Sequence, residues 1–134
     1  YSGFILPENG LCQVTALTNV IDTSAYGNEL RMEFNEIESA LIKKYGENEK
    51  VDSLRTGSIW KKPRYWMMSL KDKERYFYSR WTKENGSNLP KDIKIIDLEA
   101  IALRTDTGTV LVRYWSSNFD SCVEENTERN TDNL

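Results

Sequence analysis

The sequence predicts an α+β fold: an antiparallel sheet of about four strands with one long helix packed across a face and a short second helix. Three observations lead to this prediction. Residues 28–46 show helical periodicity early in the chain, residues 94–104 and 110–116 show two-residue alternation near its end, and strands follow one another without intervening helices. A length of 134 residues fits a single domain over residues 1–134.

The first strand is predicted over residues 11–21, LCQVTALTNVI, where β-branched residues recur on one face and Cys12 points inward. Asp22, Thr23 and Ser24 then interrupt the strand. Their short polar side chains are candidate caps for the helix that follows.

The helix over residues 28–46 is predicted from apolar positions spaced by three or four, which share one face: Leu30, Phe34, Ile37, Leu41 and Tyr45. Acidic residues early in this segment and Lys43 and Lys44 late in it match the helix dipole. Gly46 is placed to cap the carboxyl end in a left-handed conformation.

Residues 47–59 are polar without periodicity and are predicted to form a surface loop. Pro63 suits the first turn of a short helix, and after Lys73 the alternation of Tyr76 and Tyr78 with Phe77 predicts a strand. The two alternating segments, 94–104 and 110–116, flank the turn sequence TDTG and predict an antiparallel hairpin. Residues 122–134 are predicted to form a short helix and a frayed tail.

The chain has no histidine, which removes the commonest metal ligand, the usual general base and the Ser-His and Cys-His nucleophile pairs. We therefore expect neither an enzyme nor a cofactor or metal site. Asp97 and Glu99 are neighbouring carboxylates of the kind used in acid-base catalysis, but an exposed sheet face commonly carries such residues.

The two cysteines, Cys12 and Cys122, lie near opposite ends of the chain and show no metal-binding or catalytic spacing. We predict a disulfide between them, which would stabilise the fold by about 4 to 5 kcal/mol in the chain-entropy model. Such a bond indicates an oxidising compartment. The alternative is two buried free thiols.

Residues 60–81 hold three of the four tryptophans and seven lysines and arginines against two acidic residues, a net charge of +5 in a chain of net charge -3. Such a segment suits a single-stranded nucleic acid, but a pI near 5.1 argues against that ligand, and Trp66 and Trp81 fall at core positions. The favoured interpretation of this segment is aromatic rings in the core with a solvated charged face. The alternative is that the charges contact an acidic protein surface, which fits the enrichment of tryptophan and arginine at protein interfaces. The candidate binding residues are Trp60, Arg64, Arg75 and Arg80.

The succession of LCQV, a helix ending in KKYG, two Trp-containing segments, IDLEAIAL, VLVRYW and a final Cys followed by Glu resembles small exported bacterial proteins of unknown function. The resemblance implies export and partner binding. With the predicted disulfide it places the protein in the periplasm or outside the cell. No apolar run is long enough to span a bilayer, and an anchoring segment could precede Tyr1.

The sequence thus favours a non-catalytic exported bacterial domain that binds another protein, for example as an immunity protein or inhibitor. One alternative is a single-stranded nucleic-acid binder that uses residues 60–81. Another is an enzyme of unrecognised type that uses carboxylates or lysine.

Overall fold

A computed structural model describes residues 2–6 and 10–117 of the chain, with side chains from residue 13 onward. It shows the α+β fold that the sequence predicts, an antiparallel sheet with one long and one short helix. The elements in chain order are β1 (Ser2–Leu6), β2 (Gly10–Leu17), β3 (Ile21–Asp22), α1 (Asn28–Tyr45), β4 (Glu49–Leu54), α2 (Trp66–Lys71), β5 (Arg75–Thr82), β6 (Ile93–Ala102) and β7 (Thr107–Ser116).

Six strands lie side by side in the order β1-β2-β7-β6-β5-β4, all antiparallel, and the two-residue β3 pairs with the start of β7. The expected count of about four strands was therefore too low. The predicted loop at 47–59 contains β4, whose ladder with β5 runs from the pair Glu49 and Arg80 to the pair Leu54 and Arg75. The hairpin of β6 and β7 is confirmed.

The long helix is confirmed to within one residue at its carboxyl end. Four of its five predicted apolar positions are buried, and the fifth, Ile37, packs against the core. Glu38 is buried as well, although the pattern places it among the polar residues. Gly46 ends the helix with a φ of 79°, but its ψ of -143° lies outside the left-handed helical region.

The short helix also forms as predicted, as a 3-10 turn at Pro63–Tyr65 followed by α2. Both helices cover the same face of the sheet, because Phe77 of β5 contacts Phe34 of α1 and Trp66 of α2, with ring centroids 4.5 and 5.4 Å apart. Trp81 lies on this face too and is fully buried. Trp66 and Trp81 are thus core residues, as their positions in the sequence indicate.

The start of α1 differs from the expected cap. Gly27, in a left-handed conformation, precedes the helix, and no side chain caps it. Instead, a carboxylate oxygen of Glu29 accepts hydrogen bonds from the Ser24 N–H at 3.0 Å and the Thr23 hydroxyl at 2.8 Å. Two of the three predicted capping residues, Thr23 through its hydroxyl and Ser24 through its backbone N–H, therefore donate to a carboxylate in the first turn instead of accepting from helix N–H groups.

These bonds predict a pH-dependent contribution to stability. The Ser24 N–H, and then the Thr23 hydroxyl, lower the pKa of Glu29. A lowered folded-state pKa means that ionised Glu29 stabilises the fold above the ordinary carboxyl pKa, and that this contribution is lost as the pH falls through the folded-state value. Glu29→Gln should therefore melt below the wild type at pH 7, and this difference in melting temperature should narrow as the pH falls below the ordinary carboxyl pKa of 4.5.

Thermal unfolding followed by circular dichroism across this pH range measures the difference. Thr23→Val, which removes one of the two donors, should show a smaller difference that narrows over the same range. A Glu29→Gln difference that stays constant down to pH 3 would show that the charge of this carboxylate does not stabilise the fold.

Three predictions fall on residues outside the described part of the chain. These are the short helix and tail at 122–134, the inward orientation of the Cys12 side chain, and the disulfide between Cys12 and Cys122, which therefore stays a prediction. Within residues 2–6 and 10–117, no helix is both long and apolar enough to cross a membrane.

Candidate functional site

The four candidate binding residues do not share one surface. Trp60 and Arg64 lie in the connection between β4 and α2, whereas Arg75 and Arg80 lie in β5. Side chains alternate between the two faces of a strand, so residues five apart point in opposite directions. Arg75 is on the helix-covered face and Arg80 on the other.

Arg75 is packed into the structure. Its Nε donates to the Ser69 hydroxyl at 2.9 Å, its Nη1 lies 3.5 Å from an Asp52 carboxylate oxygen, and its guanidinium carbon lies 5.7 Å from the Trp66 ring centroid. Burial lowers the pKa of Arg75, and Asp52 partly opposes this. These contacts explain the position of Arg75 without a binding partner.

Arg80 lies on the open face of the sheet, beside β6. Its Nε donates to Asp97 at 2.6 Å, and its guanidinium carbon lies 5.6 Å from the Tyr78 ring centroid. The hydrogen bond to Asp97 raises the pKa of Arg80. Asp97 is therefore half of an ion pair, while Glu99, its neighbour on the same face, is exposed.

The connection between β4 and α2 carries the most distinctive charge pattern. We define the cationic loop as residues 55–64, RTGSIWKKPR, which has four basic and no acidic residues. All four cations are exposed, and none belongs to the three ion pairs found in the described part of the chain. Ile59, near the centre of the loop, is 75% exposed.

The cationic loop is held in place from within. The Trp60 Nε1 donates to Asp72 at 2.9 Å, and the Trp60 ring meets the Tyr65 ring edge-on with centroids 5.2 Å apart. The Ser58 side chain is buried, and its hydroxyl accepts from the Trp60 N–H at 3.2 Å. Ile59 and the cations are thus displayed on a segment with defined contacts, which lowers the entropy lost on binding.

A cluster of polar side chains lies between α1 and the strands β4 and β5. The Glu38 carboxylate accepts hydrogen bonds from the Ser79 hydroxyl, from Asn48 at 3.3 Å and from the Lys50 ammonium at 3.3 Å. Lys50 also lies 5.2 Å from the Phe77 ring centroid. Because Ser79 is fully buried, this cluster explains how Glu38 is accommodated inside rather than offering groups to a substrate.

Comparison with known proteins found no match among protein-family models, curated proteins or solved structures. Within residues 2–6 and 10–117, no three acidic or thiol side chains come close enough together to hold a metal ion.

The sequence contained a signal for part of this surface. Trp60 and Arg64 are among the candidate binding residues that the sequence predicts, whereas Arg55 and Ile59 fall within the loop predicted at 47–59. The run RTGSIWKKPR, with four basic and no acidic residues and an isoleucine next to its tryptophan, is visible in the sequence alone. Its exposure depends on the path of the chain between β4 and α2.

Proposed function

We propose that this protein is a non-catalytic domain that binds another protein through the cationic loop, and that the bound surface of the partner is acidic. The observation that carries the proposal is the display of four cations without ion-pair partners in the described residues, around exposed Ile59 and half-buried Trp60. Protein interfaces typically have apolar and aromatic residues at the centre and charged residues at the rim, and the cationic loop has this arrangement.

The charge distribution of the whole chain supports an acidic partner. The cationic loop carries +4 in a chain of net charge -3, so the remainder carries -7. An acidic partner is attracted to the loop and repelled by the rest of the molecule. Such a field orients the two proteins before contact and raises the association rate, most strongly at low salt.

Export belongs to the same proposal, with an immunity or inhibitor role as one instance. The supporting arguments are the predicted bond between Cys12 and Cys122 and the resemblance to small exported bacterial proteins. The mass of the unreduced protein after alkylation under denaturing conditions tests the bond, since bridged cysteines take up no label. Two labels per chain would remove this support.

Charge reversal of the cationic loop tests the binding proposal. The variant combines Lys61→Glu, Lys62→Glu and Arg64→Glu, all at exposed positions. Proteins captured by the wild type should be lost from the variant, with affinity reduced by about 30-fold or more and most of the loss at low salt in the association rate. Quantitative affinity capture followed by binding kinetics on the recovered partner measures both effects.

The matched control reverses three exposed cations outside the loop, Lys83, Lys91 and Arg104, and so changes the net charge equally. It should retain the partner. Equal loss in both variants would mean that net charge, not the loop, governs binding. Tight, salt-dependent binding of a labelled oligothymidine by the wild type would instead favour the nucleic-acid alternative, since cations adjoin aromatic rings in the loop.

A further inference from the structure

The sheet forks between two of its inner strands. The ladder between β5 and β6 runs from the pair Thr82 and Ile95 to the pair Tyr78 and Glu99 and then stops. Beyond that point, residues 75–77 pair with β4, and residues 100–102 pair with β7. Two strands that are hydrogen-bonded at one end have therefore separated at the other.

A cavity of about 340 Å³ lies in this fork. Leu70 of α2 lines it from the helix-covered side, and Ala100 and Ile101 line it from β6. Tyr76 and Tyr78 line it from β5. The volume falls within the range of small-molecule sites, and the lining combines apolar and aromatic residues with charged ones.

The charged groups around the cavity are mostly cations. Lys71, Lys73 and Arg75 line it, against a single carboxylate, Glu99. Arg75 is engaged with Asp52, but Lys71 and Lys73 are exposed and take part in none of the ion pairs of the described chain. Two lysines without an ion-pair partner in the described chain thus line the cavity beside its apolar and aromatic residues.

Lys73 occupies an unusual backbone position. Its φ of 59° is the only positive value among non-glycine residues of the described chain. The residue follows the end of α2, where the Lys73 N–H donates to Leu70 at 3.1 Å and the Glu74 N–H to Ser69 at 2.9 Å. Glycine adopts this conformation without steric cost and is the usual residue at such helix ends. A lysine here points to a role for its side chain.

We propose that the fork cavity binds a small organic anion, a carboxylate with a flat apolar body. The carboxylate is held by Lys71 and Lys73, and the body packs between Leu70, Ile101 and the tyrosine rings. This site shares no lining residue with the cationic loop at 55–64.

Titration of the labelled protein with benzoate, followed by amide chemical shifts, tests the proposal. Benzoate should shift the amides around Lys73, Ala100 and Ile101 with a dissociation constant of about 1 mM, as suits a fragment-sized ligand. Benzamide, which has the same shape without the charge, should bind with an affinity at least about ten-fold lower than that of benzoate. Equal binding of the two probes, or the absence of shifts at the fork, overturns the proposal.

The variant Lys73→Gly distinguishes a loss of ligand binding from a loss of fold stability. It relieves the backbone at the helix end, so the melting temperature should hold or rise, while benzoate affinity should fall by about five- to ten-fold. Lys91→Gln, at an exposed lysine away from the cavity, should leave benzoate affinity unchanged. Unchanged affinity in Lys73→Gly overturns the proposal. The loop charge-reversal variant should bind benzoate normally, so failure at either site is distinguishable from failure at the other.

Discussion

Replacing Trp81 with alanine should lower the free energy of unfolding by about 3 to 5 kcal/mol. Trp81 is fully buried in the core beneath the helices, and its Nε1 donates to the Gly46 carbonyl at 3.2 Å. Alanine would leave a cavity of nearly the volume of an indole ring and remove a contact with the end of α1. Urea denaturation with a linear extrapolation measures the change.

Trp60→Ala is the matched control, because the two tryptophans have different roles. Trp60 is half-buried and loses one hydrogen bond, to Asp72, and one edge-on contact, to Tyr65. The free energy of unfolding of the Trp60→Ala variant should be only about 1 kcal/mol below that of the wild type, whereas capture of the protein partner should weaken. If Trp60→Ala destabilised the protein as much as Trp81→Ala, Trp60 would be a core residue and not an interface anchor.

Gly27→Ala should cost about 2 to 4 kcal/mol, through two separate effects. Gly27 has a φ of 72°, which side-chain-bearing residues rarely adopt, and an added Cβ would lie 2.3 Å from the Trp66 ring. That ring is buried between Phe77 of the sheet and the guanidinium of Arg31, whose central carbon lies 4.7 Å from the ring centroid. The indole has little room to move, so α1 or α2 must shift.

Two further glycines separate these effects. Gly57 has a φ of 88° with nothing within 4 Å of an added Cβ, so Gly57→Ala should show the backbone effect alone, about 1 kcal/mol. At Gly108, where the backbone is ordinary, an added Cβ would lie 2.7 Å from both the Ile101 carbonyl oxygen and a Leu30 methyl, so Gly108→Ala should show crowding alone. If Gly27→Ala cost no more than Gly57→Ala, the Trp66 ring would not be fixed in place.

The elements with strong apolar periodicity were predictable. The helix at 28–46 and the hairpin of 94–104 with 110–116 each repeat buried residues at the spacing of their own geometry, and burial of those residues stabilises them. Strand β4 has no such pattern, because only Val51 and Leu54 are apolar in EKVDSL. It is an edge strand held by its ladder to β5. Backbone hydrogen bonds require no particular side chains, so the sequence pattern does not reveal such a strand.

The candidate site was predictable only in part. The alternation of Tyr76 and Tyr78 with Phe77, extended by one residue, puts Arg75 on the same strand face as Phe77. The fork between β5 and β6 carries no comparable signal. Where a ladder stops depends on how the strands twist and on the helix packed above them, and the amino-acid pattern of both strands continues through the break.

The order of strands in the sheet determines when the fold can be completed. The early strand β2 lies between β1 and β7, and its ladder joins Gln13 to Trp115, about a hundred residues apart in the chain. During synthesis on the ribosome, β2 must wait until nearly all of the described chain has emerged before its inner neighbour exists. Strands β4, β5 and β6 can pair before β7 emerges, but closing so long a loop costs entropy before any contact compensates for it, so β7 sets the moment at which β1 and β2 join the sheet.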